Sequence, residues 1–116
     1  MSQTDTEIEP LVAGDKLSAN EFLRRWEATP NLKRAELIGG VVFMPSPLSA
    51  DHGSKDSEIG YILTHYALHT PGCETGVNAT WLMLMDAPQP DLHLRLKEEY
   101  GGQSRREFYL HGAPEL

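Results

Sequence analysis

Hydrophobic residues recur along this chain in short, distinct patterns punctuated by proline and glycine. Around residues 17–29, Leu17 precedes Ser18, Glu21 follows three positions later, and Phe22, Leu23 and Trp26 share one side. Ser18 is therefore a candidate N-cap with Glu21 closing a capping box, Leu17 can staple against Phe22, and the helix ends before Pro30. Residues 34–38 and 41–44 then read as two strands joined by Gly39-Gly40, a two-residue loop whose glycines tolerate positive φ. Pro45 and Pro47 end the second strand. After Ser49, Ile59, Ile62, Leu63 and Tyr66 take the spacing of one helix face, up to the stop at Pro71-Gly72.

Extended segments follow at residues 73–77, 80–86 and 90–96. In the last, Leu92, Leu94 and Leu96 alternate with Asp91, His93 and Arg95. Such a strand is expected to bury its leucines and present Asp91, His93 and Arg95 on the opposite face. Residues 97–114 are polar, carry Gly101-Gly102 and Arg105-Arg106, and read as a loop with a short extended piece at 108–110. Helices interleaved with strands predict an α/β protein.

At 116 residues the chain suits one domain or an incomplete one. Its longest apolar run, near Trp81, is far short of the roughly 20 residues of a membrane span. The first nine residues are polar and acidic, which argues against export. With a single cysteine, Cys73, the expectation is a structural thiol in a reducing compartment, and a cytoplasmic address with no membrane partner. The net charge of −7 would disfavour nucleic acid if it were uniform. Four of the 17 acidic residues, Asp5, Glu7, Glu9 and Asp15, lie in the first 15 positions, where no Lys or Arg occurs. Residues 1–15 accordingly read as a disordered acidic tail, and residues 16–116 as the folded part.

Neither glycine pair extends into a phosphate-binding fingerprint. His65 and His69 have zinc-ligand spacing on the predicted helix, and with His52 they make one possible zinc set, although two polar residues on a solvent face explain them as well. Glu36 and Asp91 are more informative, because each is an acid set in an apolar strand, where an uncompensated carboxylate is costly. Converging, they would suit Mg²⁺, a hard ion that takes one or two carboxylates and keeps several waters. The competing readings are an ion pair of Glu36 with Arg34 or Lys33, and an Asp91 that simply faces water.

The order Leu17-Ser-Ala-Asn-Glu-Phe-Leu23, Ala35-Glu-Leu-Ile-Gly-Gly40, Met44-Pro-Ser-Pro47, Asp51-His52, Pro90-Asp91, Gly101-Gly-Gln-Ser104 and Gly112-Ala-Pro-Glu-Leu116 resembles the Uma-two family of restriction endonucleases, within the PD-(D/E)XK nuclease superfamily. The resemblance implies a restriction-endonuclease-like mixed sheet flanked by helices. It also implies an Mg²⁺-dependent DNA endonuclease in which Asp91 and Glu36 bind the metal and His52 joins them at the catalytic site. A homodimer is the expected state of the complete domain, since cutting both strands needs two sites.

The family continues beyond its Gly-Ala-Pro-Glu-Leu into a strand whose Glu is a second ligand, and then to a catalytic Lys. No Asp or Glu in this chain is followed two positions later by Lys. Residues 16–116 are therefore expected to be the N-terminal part of the domain, incomplete at the C-terminus, with an open sheet edge beside Asp91 and little or no cleavage. The alternative is a non-catalytic interaction or oligomerisation fragment using that edge. Arg95, Lys97, Arg105 and Arg106 are the candidate phosphate contacts, with solvated surface residues as the competing and favoured reading.

Overall fold

The computed structural model describes residues 8–32, 34–44 and 49–116, so Lys33, the Pro45 and Pro47 stop and the first acids of the tail lie outside the described residues. The fold is mixed α/β. Helix α1 (Ala19–Glu27) starts where the capping signal predicts: the Ser18 hydroxyl accepts the Glu21 N–H at 3.1 Å. Glu21 does not reach back to complete a capping box, and its carboxylate instead accepts from Arg24 and Arg25, three and four positions further along the helix. Those two guanidiniums hold the Glu21 carboxyl below its ordinary range.

Strands β1 (Glu36–Ile38) and β2 (Val41–Phe43) form the expected hairpin, with Gly39 and Gly40 at φ of 60° and 80°. Two consecutive positive φ values match the right-handed twist of the strands, and glycine takes them without Cβ strain. Phe22, Leu37, Val42, Ala35, Leu11 and Ala87 make one buried apolar cluster, with Leu17 and Trp26 packed against it. Leu11 comes from the stretch read as an acidic tail. Residues 8–15 thus do not behave as a solvated tail: Gly14 N–H donates to the Val42 carbonyl and Val42 N–H to that of Asp15. A single buried leucine and these ladder bonds outweigh the local acidity.

Helix α2 (Ala50–Leu68) is capped by Ser49, whose hydroxyl accepts the His52 N–H. It lies on the antiparallel pair β3 (Cys73–Val77) and β5 (Leu92–Leu96), registered from Cys73 opposite Leu96 to Val77 opposite Leu92. The face predicted to be buried is largely in solvent, since Ile59, Ile62 and Tyr66 are exposed. The residues turned to the sheet are His52, Asp56, Gly60, Leu63 and Ala67, all half-buried. Gly60 explains the choice: its hydrogen lets the helix approach until even a Cβ would touch Leu92 at 3.4 Å.

The strand predicted at 80–86 shrinks to β4 (Trp81–Leu82), because Met83 and Asp86 close a tight turn with reciprocal backbone hydrogen bonds. The chain then runs beside β1, where Leu37 and Ala87 exchange both backbone hydrogen bonds. After a 3-10 turn (Glu98–Tyr100), β6 (Arg105–Arg106) and β7 (Leu110–His111) form a hairpin whose second strand pairs parallel with β4. Among the described residues the strands make three small sheets in place of one mixed sheet. Pro88 and Pro90, which cannot donate to a ladder, separate the segment on β1 from β5.

The far edge of β5 is partly occupied. Leu94 and Leu116 exchange backbone hydrogen bonds at 2.8 and 3.1 Å, and Leu96 N–H donates to the Glu115 carboxylate at 2.7 Å. This departs from the open edge expected beside Asp91.

Candidate metal centre

The alternation of β5 runs opposite to expectation in burial. His93 and Arg95 are each only 3% exposed, while the three leucines are half-buried. The leucine face receives α2, whose inner residues apart from Leu63 are small or polar and cover it incompletely. The other face is closed by β4, Ser104 and the β6–β7 hairpin. A buried guanidinium is tolerable only when its donors are satisfied. Arg95 donates to the Ser104 hydroxyl at 2.9 Å, to the Ser104 carbonyl at 3.3 Å and to Glu74, its cross-strand partner, at 3.0 Å. Arg95 is thus a structural ion-pair residue, not the surface phosphate contact the sequence suggested. Arg105 pairs with Glu107 and Arg106 with Glu74. Burial alone would raise the Glu74 carboxyl, but the Arg95 hydrogen bond and the Arg106 charge outweigh it and hold the group below its usual range.

Asp91 sits immediately before β5 and reaches α2. Its Oδ2 lies 3.1 Å from His52 Nε2, and Asp56 Oδ2, one helical turn beyond His52, lies 3.1 Å from the same nitrogen. Ligand atoms of His52, Asp56 and Asp91 all lie within 4.8 Å of one another, the single such group of three among the described residues. Arg34 closes the site from the hairpin side, with a guanidinium nitrogen 3.5 Å from Asp91 Oδ1. A shallow cleft lined by Asp56, Gly60, Asn78, Asp91 and Leu92 opens beside it.

The separations fit a cation. In an octahedral shell with metal–oxygen distances of about 2.1 Å, neighbouring ligand atoms stand about 3.0 Å apart. Carboxylates suit Mg²⁺, and an imidazole admits Mn²⁺ or Zn²⁺ as well. The i, i+4 placement of His52 and Asp56 brings both onto one helix face.

Of the residues singled out in the sequence, His52 and Asp91 come together. Glu36 does not join them: its Oε1 accepts the Gln89 N–H at 2.7 Å, which pins the residue-89 segment against β1. The pairing with Arg34 is not formed, because Arg34 turns to Gln89 and Asp91, and the alternative with Lys33 lies outside the described residues. The physical reason is local: Gln89 N–H, directly across from β1, needs an acceptor, and Glu36 supplies it. Asp91 is not a carboxylate simply facing water, being paired with both His52 and Arg34. Asp56 was missed, although its spacing from His52 on a predicted helix was a signal for it. His65 and His69 stack on each other at 4.4 Å on the exposed end of α2, about 20 Å along the axis from His52. They do not converge with it. Cys73 is a half-buried free thiol at the start of β3.

No helix among the described residues is long and apolar enough to cross a membrane. Compared with models of known protein families and with curated proteins, the chain gives no match.

Proposed function

We propose that this chain forms the metal-binding side of an Mg²⁺-dependent DNA endonuclease with a restriction-endonuclease-like fold, as its resemblance to the Uma-two family implies. The observation that supports the reading is the convergence of Asp91 with His52 and Asp56 at cation-ligand separations. A bound divalent ion there would lower the pKa of a coordinated water and neutralise charge growing on phosphate oxygens. The protein's part would be to hold the ion with Asp91, Asp56 and the His52 imidazole. Arg34 can turn from Asp91 to a phosphate oxygen. Glu36 supports the site at one remove, by holding Gln89, to which Arg34 also bonds.

No lysine is ion-paired to this group among the described residues, and the chain would bind the ion but cleave DNA little or not at all. A nuclease of this kind would act on cytoplasmic DNA as a homodimer. Calorimetric titration of Mg²⁺ and Mn²⁺ tests the reading, with one site expected and a loss of at least about tenfold in affinity for Asp91→Asn or Asp56→Asn. Binding that is absent at millimolar metal, or indifferent to both substitutions, sinks it. Plasmid nicking by the same chain that survives Asp91→Asn would place the chemistry elsewhere.

A second reading, an interaction or oligomerisation fragment, draws on the exposed Ile59, Ile62 and Tyr66 of α2. It predicts concentration-dependent self-association that Ile62→Ser abolishes, measured by sedimentation.

A further inference from the structure

On the face of the β3–β5 pair turned away from α2 lies a cavity of about 360 Å³, between the sheet and the turn from β6 to β7. That volume is at the small end of small-molecule sites. His93 forms part of its floor. The indole N–H of Trp81 donates to His93 Nδ1 at 3.3 Å, the two rings standing edge to face at 5.0 Å. Because Nδ1 accepts, the imidazole proton belongs on Nε2. Burial lowers the His93 pKa, which keeps the ring neutral at pH 7.

Nε2 has no hydrogen-bond partner among the described residues, yet no fully enclosed polar side-chain atom lacks one. The nitrogen is therefore not fully enclosed, and the residue that carries it lines the cavity. Thr80, only 7% exposed, lines the same cavity, and its hydroxyl is likewise without a partner among the described residues. Space for the imidazole exists because residue 76 is glycine: a Cβ there would stand 2.4 Å from His93 Cε1.

The mouth is built differently. Phe108 is 90% exposed, and its ring is held perpendicular to that of Tyr109 at 4.8 Å. The Tyr109 hydroxyl donates to Glu27, and burial together with that carboxylate pushes its pKa up to about 12, so it stays a fixed donor to α1. Arg106 stands on the wall with its side chain 64% exposed and one nitrogen on Glu74. Glu74 spends both oxygens on Arg95 and Arg106, which leaves this carboxylate and its two guanidiniums one positive charge in excess, and Glu107, the other carboxylate lining the cavity, is neutralised by Arg105.

We propose that this cavity binds a single unstacked nucleotide, with its base against Phe108, the base edge on His93 Nε2–H and the Thr80 hydroxyl, and its phosphate on Arg106. An aromatic plate in water, a buried neutral donor with nothing to bind and a cation at the rim are the three elements of single-strand recognition. A neutral sugar would leave the cation unused. An amine would meet the wrong charge. The choice of DNA as the source of the nucleotide rests on the nuclease reading above, but the site lies on the opposite face of β5 from Asp56 and does not depend on the metal group.

The test is a ¹H–¹⁵N NMR titration of the full chain with thymidine monophosphate and tetrathymidylate. The chain has two tryptophans. The Trp81 indole N–H, bonded to His93, should move, whereas that of Trp26, bonded to the Leu32 carbonyl at 2.9 Å, should not. Phe108→Ala, at an exposed position that leaves the fold intact, should weaken tetrathymidylate about tenfold. Asp91→Asn should leave this binding unchanged while removing metal binding, which separates failure of this site from failure of the nuclease reading. A Trp81 resonance that stays still at millimolar nucleotide, an unaffected Phe108→Ala variant, or tighter binding of a tetraglutamate peptide would each overturn the proposal.

Discussion

The α1–hairpin region and the α2–β3–β5 region are stabilised by opposite kinds of residue. In the first, Phe22, Leu37 and Val42 are almost wholly buried and apolar, and the polar groups nearby serve caps and turns. In the second, α2 buries no residue fully, and the best-buried groups of the sheet are His93 and Arg95. Burial of apolar area is tolerant of small geometric change, whereas a buried guanidinium depends on each partner being in place. The first region is a core that the hydrophobic pattern specifies. The second is held by a polar network, and that network also shapes the cavity.

The largest expected effect is in the apolar core. Phe22→Ala should cost about 4 kcal/mol in chemical denaturation, the usual loss when a buried aromatic leaves a cavity. Arg95→Met comes next, at about 3 kcal/mol, because it strips Glu74 of one partner and Ser104 of two donors. If Arg95→Met were neutral, the contrast between the regions would fail. Gly76→Ala should cost about 2 kcal/mol through the clash with His93, and it should perturb the Trp81 indole resonance while leaving Trp26 unchanged.

Acid should act on the second region before the first. His93 is lowered from 6.5 by burial, so the unfolded chain takes up its proton first, and stability present above that value falls as pH drops below it. Glu74, lowered from 4.5, adds a second loss as pH falls further, through its folded-state value. Hydrogen exchange at pH 7 and pH 5 should show faster opening of β3 and β5 at the lower pH, with the β1–β2 hairpin little changed. Equal acceleration of both would remove the distinction. The smallest effect belongs to α2: Ile62→Ala should fall within about 0.5 kcal/mol of the parent in the same denaturation experiment, since that side chain already faces water.

The helix starts at Ser18 and Ser49 and the Gly39-Gly40 turn were legible in the sequence because each is decided within four or five residues, by a hydroxyl reaching a nearby N–H or by two glycines accepting positive φ. The pairing of His52 with Asp91 was anticipated only through a family resemblance. No local rule joins residues 39 positions apart. Asp56 could have been found from its helical spacing to His52, but only once the sheet-facing side of α2 was known. That side was misread, because periodicity marks which residues are apolar and not which neighbour they meet.

The sequence by itself determined where the two helices begin, that Gly39-Gly40 would turn a hairpin, and that an acid at residue 91 would be costly without a partner. Tertiary structure alone decided that Glu36 serves Gln89 and not a metal, that Leu11 packs into the core, and that His93 and Arg95 are buried while the leucines between them are only half covered. The reason is the same in each case. Alternation tells two faces of a strand apart, but which face is closed depends on the elements that arrive from elsewhere in the chain, and a polar face can be the buried one when Glu74, Ser104 and Trp81 meet its hydrogen bonds.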